Sequence, residues 1–313
     1  MISVVLCYII YRVHSDNTYS GGIEKMKTCV SSYSYGGYNS DEKLGIYGII
    51  EHAKKTGFDG IEFVEGGWQN DPDGAKKIRE HCEKVGITPV AFLVGADFIN
   101  WGSEDGKEEI ARIKGLIDTA EALGVKMLRH DVTGGVRSRK YGIGYDDLLP
   151  TLAERIREVT EYAAEKGIRT MTENHGFFSQ DANRVEKLIN AVGHPNFGAL
   201  IDMGNFLCAD ENPNVSVGIM APYAFHVHAK DFFIKDGLEP NPGDGWFMSR
   251  AGNYLRGAII GHGNARVAQS IRTIVRSGYD GYITIEFEGM EDNLAGIEIG
   301  YKNLKRFIEM AQN

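Results

Sequence analysis

Paired cysteines are missing from this chain. Its four, Cys7, Cys29, Cys82 and Cys208, are scattered and make no C-x-x-C. That argues against a zinc knuckle or a disulfide framework and fits reduced thiols in the cytoplasm. A basic excess is missing as well. Lys and Arg number 34 against 43 Asp and Glu, for a net charge of -9, so no phosphate-neutralising face for nucleic acid is expected. Long apolar runs are absent too. The most apolar, residues 2–11 (ISVVLCYIIY), is shorter than the roughly 20 residues that a bilayer span needs, and no membrane association is expected. It resembles the hydrophobic part of an export signal, but no Lys or Arg precedes it and no A-x-A follows. Residues 1–25 therefore read as an extension ahead of a core that starts at Met26. No Pro/Ser-rich linker divides the rest. The stretch after the first apolar run, SSYSYGGYNS, is neither G-x-G-x-x-G nor G-x-x-x-x-G-K-[ST], which argues against a doubly wound nucleotide-binding sheet.

What the chain does have is alternation. Short apolar runs near 27–33, 59–63, 88–94, 125–130, 168–173, 197–202, 223–228 and 282–286 read as eight strands. Between them lie amphipathic helical patterns. Ile110, Ile113, Ile117 and Ala120 share one face, as do Leu152, Ile156, Val159 and Ala163, and Val185, Leu188, Ile189 and Val192. Asp181 suits a helix start and Gly193 a helix stop. The segments EKVGI, EALGV, AEKGI and VRSGY each place Gly where a helix ends. Eight βα units without a linker predict an α/β protein, a single-domain (β/α)8 TIM barrel over residues 26–313.

Such barrels keep their chemistry at the C-terminal strand ends. Strand five ends TMTENHG, with Glu173 and His175. Strand six ends ALIDMGN, with Asp202 and Asn205. Strand seven, FHVHAKD, offers His226, His228, Lys230 and Asp231, and strand eight, ITIEFEG, offers Glu286 and Glu288. Three carboxylates and one imidazole suit a moderately hard divalent ion such as Mn2+, Mg2+ or Co2+. Strand four ends KMLRHDV, which puts Arg129 and His130 near the mouth, His130 as a second acid or base. Glu62 and Glu65 are candidates for sugar hydroxyls. Tyr33, Phe92 and Trp101 are candidates for apolar walls. The segment 231–261, with Trp246 and Arg256, reads as a long functional loop over the pocket, and Arg256 as a contact for a substrate anion.

These strand ends carry a resemblance. TENHG, LIDMGN, HVHAKD and GYDGYITIEFEG resemble the sugar phosphate isomerase/epimerase family of xylose-isomerase-like TIM barrels. That group includes ketose 3-epimerases, inosose dehydratases and the barrel subunits of C-glycoside deglycosidases. The resemblance implies metal ligands at Glu173, Asp202, His228 and Glu286, while position at the strand ends and on the strand-seven loop makes His175, Asn205, Glu62, Lys230, Trp246 and Arg256 candidate substrate contacts. It implies one divalent metal ion, Mn2+ ahead of Mg2+, Co2+ or Zn2+. It implies a sugar isomerase or epimerase that removes a proton next to a carbonyl through a metal-stabilised enediolate, with Glu173, Glu286 and His130 as the acid/base groups. The alternative is a lyase on an oxidised sugar, either an inosose-type dehydration or a 3-oxo-C-glycoside elimination. An endonuclease IV-type nuclease and a non-catalytic sugar-binding barrel rank below these. The expected partner is a small sugar or sugar derivative, with a homo-oligomer or a small partner subunit as further options. Two departures bear on substrate: Asn205 stands where epimerases often have His, and Gly261-His262-Gly263 stands for the common G-E-G.

Overall fold

The computed structural model describes residues 26–135 and 144–313, so the extension expected over 1–25 lies outside the described residues. Seven strands follow the chain in order: β1 (Lys27–Ser31), β2 (Gly60–Val64), β3 (Thr88–Val94), β4 (Met127–His130), β5 (Arg169–Glu173), β6 (Phe197–Asp202) and β7 (Ala224–Ala229). An excursion then adds β8 (Asp231–Lys235), β9 (Phe247–Met248) and β10 (Tyr254–Ala258) before β11 (Tyr282–Ile285). Strands β1 to β7 and β11 pair in parallel, and β11 between β7 and β1 closes an eight-stranded barrel. Around it run α1 (Gly45–Thr56), α2 (Gly74–Val85), α3 (Lys107–Leu123), α4 (Tyr145–Glu165), α5 (Ala182–Val192), α6 (Pro213–Met220), α7 (Val267–Arg276) and α8 (Asn293–Gln312). The expected (β/α)8 architecture is present.

The helical faces named from periodicity are the buried ones in α3, α4 and α5. The Asp181 side chain accepts the Arg184 N–H at the start of α5. Gly86, Gly124, Gly167 and Gly278 take φ of 77, 81, 67 and 85°. That left-handed conformation suits glycine and releases the chain from each helix into the next strand.

Two periodicities divide the interior. Outward strand residues such as Val30, Ile61, Phe63, Leu128, Ile201 and Val227 join the helices in the main core. A separate apolar cluster includes Cys29, Met171 and Leu200. Two residues further along each strand, on the same face, stand Ser31, Glu173 and Asp202. The lumen is thus plugged by apolar side chains below and turns polar toward the C-terminal strand ends.

The segment expected as a long loop is built differently. It folds into a three-stranded antiparallel sheet in the order β8-β10-β9. The Asp231 carboxylate pins both ends by accepting the N–H groups of Phe232, Gly261, Gly263 and Ala265. Arg250 donates to Asp181 Oδ2 at 3.0 Å and to the Phe177 carbonyl at 2.6 Å, tying the tip to the β5 loop. Among the described residues no helix is long and apolar enough to cross a membrane.

Asp97, just after β3, accepts hydrogen bonds from the Ile99 and Asn100 amides, the Asn100 side chain and the Thr133 hydroxyl. It locks the β3 loop to the β4 loop. Burial works against its charge, yet the bonds from Asn100 and Thr133 hold its carboxyl below the usual value. Asp97→Ala is expected to cost about 2–4 kcal/mol in urea unfolding. A depressed carboxyl contributes its stability fully above the unfolded value and loses it as pH falls through the folded one. The gap between variant and parent should therefore narrow in acid.

Candidate metal and active site

Strand alternation selects which side chains enter the lumen. On β5, β6 and β7 and just past β11 the inward positions are Glu173, Asp202, His228 and Glu286. One ligand atom from each lies within 4.8 Å of the others, and all four residues are buried. Asp202 Oδ1 accepts the N–H groups of Gly204 and Asn205, both at 2.8 Å. Its Oδ2 is buried without a hydrogen-bond partner among the described residues, and so is His228 Nδ1, 3.7 Å away. Buried polar atoms are seldom left unpaired in a native fold. Two of them converging with two further carboxylates make the donor set of a divalent cation, and the residues present fit one.

Below this cluster lies a second layer. Glu62 Oε1 is 2.9 Å from His228 Nε2, and Glu62 Oε2 is 2.8 Å from His226 Nε2. Thr284 Oγ1 lies 2.9 Å from the same His226 nitrogen. The sequence suggests a sugar contact for Glu62. The structure instead buries it completely and sets it against His228, where it orients the imidazole so that Nδ1 faces the carboxylates. Burial alone would raise the Glu62 carboxyl, but the His228 and His226 rings pull it down to about 2. Burial disfavours a charged His228, yet Glu62 and Glu286 hold its pKa well above the ordinary histidine value. Burial pushes His226 the other way, below it.

Above the cluster opens a cavity of about 330 Å3 whose wall includes Arg129, Glu173, His175, Lys230, Glu286 and Glu288. Arg129 Nη2 lies 2.7 Å from Glu173 Oε2 and 2.9 Å from Asp131 Oδ1. Asp131 Oδ1 in turn receives His175 Nδ1 at 2.9 Å. An ionised carboxylate only accepts, so His175 carries its proton on Nδ1 and presents Nε2 for other contacts. Burial lowers His175, but the Asp131 bond outweighs it and raises the ring. After β7, Lys230 Nζ is 2.5 Å from Glu286 Oε2 and 3.5 Å from both Asp202 Oδ2 and Glu288 Oε2. Despite burial, Lys230 drives Glu286 well below the usual carboxylate range. Burial and the nearby Glu286 raise Glu173, with Arg129 opposing.

Other candidates are placed elsewhere. His130 points out of the barrel, between Phe98 (5.2 Å between ring centroids) and Phe197 (5.8 Å, stacked). Burial pushes it down to about 4. Arg129 takes the inward position, so the acid/base role considered for His130 does not fit. Asn205 is buried between Glu173 Oε1 (2.8 Å) and Lys230 Nζ (3.4 Å); it spaces these two groups and does not line the cavity. Trp246 and Arg256 sit on the excursion, where the Arg256 guanidinium lies over Phe233 and Trp246 and 3.6 Å from Glu291. They do not reach the cluster. Asp131 is the residue sequence reasoning missed. Two positions beyond inward-facing Met127 and Arg129 is Asp131, and that parity was the available signal.

Comparison with known proteins agrees with this architecture. A 3-dehydroshikimate dehydratase of Pseudomonas putida is 23% identical over 241 residues, which is 76% of this chain and 35% of that protein. The chain thus spans about a third of the length of that curated relative. A crystal structure described as a probable 3-DHS dehydratase from Bacillus anthracis superposes with a TM-score of 0.68 at 18% identity, covering 89% of this chain and 99% of that one. D-allulose 3-epimerase from Methylomonas sp. gives 0.66 at 14% identity, covering 91% and 98%. These structures share the fold. Residues 50–307 match the xylose isomerase-like TIM barrel family, and the chain belongs to it.

Proposed function

We propose that this chain is a metal-dependent lyase that removes water from a cyclic polyhydroxylated ketone, with Glu173, Asp202, His228 and Glu286 holding one divalent ion, Mn2+ by preference. The carrying observation is the state of the bases around the cavity. An epimerase working through two glutamates needs a free carboxylate on each side of one carbon. Here Glu173 is engaged by Arg129 and Asn205, and Glu286 by Lys230. The base left open is His175, half-exposed at the mouth and backed by Asp131. The name of the Pseudomonas relative supports dehydration, whereas the likenesses to the Bacillus and Methylomonas structures are ones of fold.

The chemistry follows from placement. His175 Nε2 takes the proton from the carbon beside the ketone. That electron pair forms the C=C bond as the β C–O bond breaks, and the hydroxyl departs as water with the proton that His175 carried. Lys230 and Arg129 supply positive charge to oxygens that gain electron density. A divalent ion, when bound, supplies Lewis-acid polarisation of the ketone oxygen. Glu62 and His226 keep the His228 ring in orientation.

The test is incubation with 3-dehydroshikimate, whose dehydration gives an ultraviolet-absorbing aromatic acid, with and without Mn2+. Metal-dependent product formation is expected. Exchange of an α-proton of a free ketose with solvent deuterium, without loss of water, would return the protein to the isomerase reading. His175→Asn should lower kcat about 10²–10⁴-fold while metal content stays at the parental level. Asp202→Asn should abolish metal binding measured by elemental analysis. Glu62→Gln should retain the site but weaken Mn2+ binding about 10–100-fold in chelator competition; unchanged affinity would remove its orienting role.

A further inference from the structure

A second cavity, of about 580 Å3, opens beside the reaction cavity. The two share Val64 and Glu65 in their walls, and the neighbouring residues Ser32 and Tyr33 line one each. They are therefore separated by little more than a side chain. Both volumes, about 330 and 580 Å3, fall within the range of about 300–1,000 Å3 usual for small-molecule sites, the second being the larger.

The two walls differ in charge. Arg129, His175 and Lys230 line the reaction cavity. Among the described residues no Lys, Arg or His lines the second one, so an anionic ligand meets no counter-charge there. Its three carboxylates do not make it a strong cation site either. Asp71 is already 2.5 Å from Lys77 Nζ, and Glu65 Oε1 is 3.7 Å from Arg112. That leaves Asp41. Together with Asn39 and Ser40 it forms a run of three polar side chains that line the cavity and have no side-chain hydrogen bond among the described residues.

The wall also carries apolar groups, Ile46, Tyr47, Val64 and the Trp68 indole. Trp68 Nε1 donates to the Val64 carbonyl at 3.1 Å, and its ring meets Phe92 edge-on at 5.4 Å. The ring is held from two sides as a fixed plate. An aromatic plate sharing one cavity with hydroxyl, amide and carboxylate groups matches a ring with one C–H face and a rim of hydroxyl donors.

We infer that the substrate carries a second, neutral polyhydroxylated unit of glycosyl type, and that this unit is held between Trp68 and the Asn39–Asp41 run while the ketone ring sits in the reaction cavity. The attachment to a ketone rests on the lyase reading; the preference for a neutral polyol rests on the second cavity alone. Gly67 provides a clean probe. It lines the cavity, and a Cβ built on it meets nothing within 4 Å. A side chain can be added at this rim position without a clash at its Cβ.

The experiment is saturation-transfer NMR on the full chain with methyl β-D-glucopyranoside, methyl α-D-mannopyranoside and, as a cationic probe, butylamine. Expected are glycoside signals from the parent, weakened about tenfold in Gly67→Leu and Asp41→Asn. Melting temperature, metal content and turnover of 3-dehydroshikimate should stay parental in Gly67→Leu. No glycoside signal, a signal indifferent to Gly67→Leu, or stronger binding of butylamine would each overturn the inference. Glycoside binding as expected with no turnover of any ketone would sink the lyase reading and leave the second cavity as a polyol site. Turnover without glycoside binding would do the reverse.

Discussion

Too much negative charge in a small volume is the constraint around which the upper half of this barrel is arranged. Glu62, Asp131, Glu173, Asp202, Glu286 and Glu288 surround the lumen and its mouth, and Arg129 and Lys230 are the permanent cations among them. Burying an unpaired carboxylate is costly. The fold answers with pairing wherever a cation can reach. Arg129 bridges Asp131 and Glu173, and Lys230 bridges Glu286, Asp202 and Glu288. Asp202 is further served by two backbone amides. Among the buried atoms left without a hydrogen bond, Glu62 Oε1, Asp202 Oδ2 and both His228 nitrogens meet at this level of the lumen. A divalent ion is the species that this residual charge suits.

The same constraint explains the layer beneath. His228 must offer Nδ1 upward, so its Nε2 needs a partner below, and the partner must come from across the barrel. Glu62 on β2 supplies it. The other Glu62 oxygen is taken by His226, which also meets Thr284 near the end of the closing strand. Strands β2, β7 and β11 are thereby cross-linked through the lumen at the level just under the cluster. This layer is the floor of the site and the ceiling of the apolar plug, and a side chain changed here alters the pose of a ligand without touching substrate.

Much of this was legible in the sequence because both periodicities are strong. Eight strands and the helices between them stand out, and the two-residue parity puts Glu173 with His175 and His226 with His228 on common faces. The misses are instructive. His130 was assigned to the mouth by closeness to a strand end, but parity with Arg129 turns it outward onto Phe98 and Phe197. The same parity would have brought in Asp131. Glu62 looked like a mouth residue because its depth depends on barrel shear, which fixes the height of β2 relative to β7 and is not written in either strand alone. Trp246 and Arg256 were misplaced because the pinning of the excursion by Asp231 depends on amides 30 to 34 positions away.

On the lyase reading proposed above, the asymmetry of the cavity favours elimination over epimerisation. Inverting one carbon asks for proton-transfer groups on both faces of the same atom, of comparable strength. This site has a histidine backed by a carboxylate on one wall and an ammonium buried among carboxylates on the other. The first is raised above the ordinary histidine value by its bond to Asp131, which outweighs burial, and is placed to take and return a proton. The second is held firmly protonated by its neighbours, so it exchanges protons poorly but stabilises negative charge well. On that reading, one base after β5 and one fixed positive group after β7 serve a reaction that removes a proton at one carbon and releases an oxygen at the next. That division of roles arises from the pairing that buried charge demands.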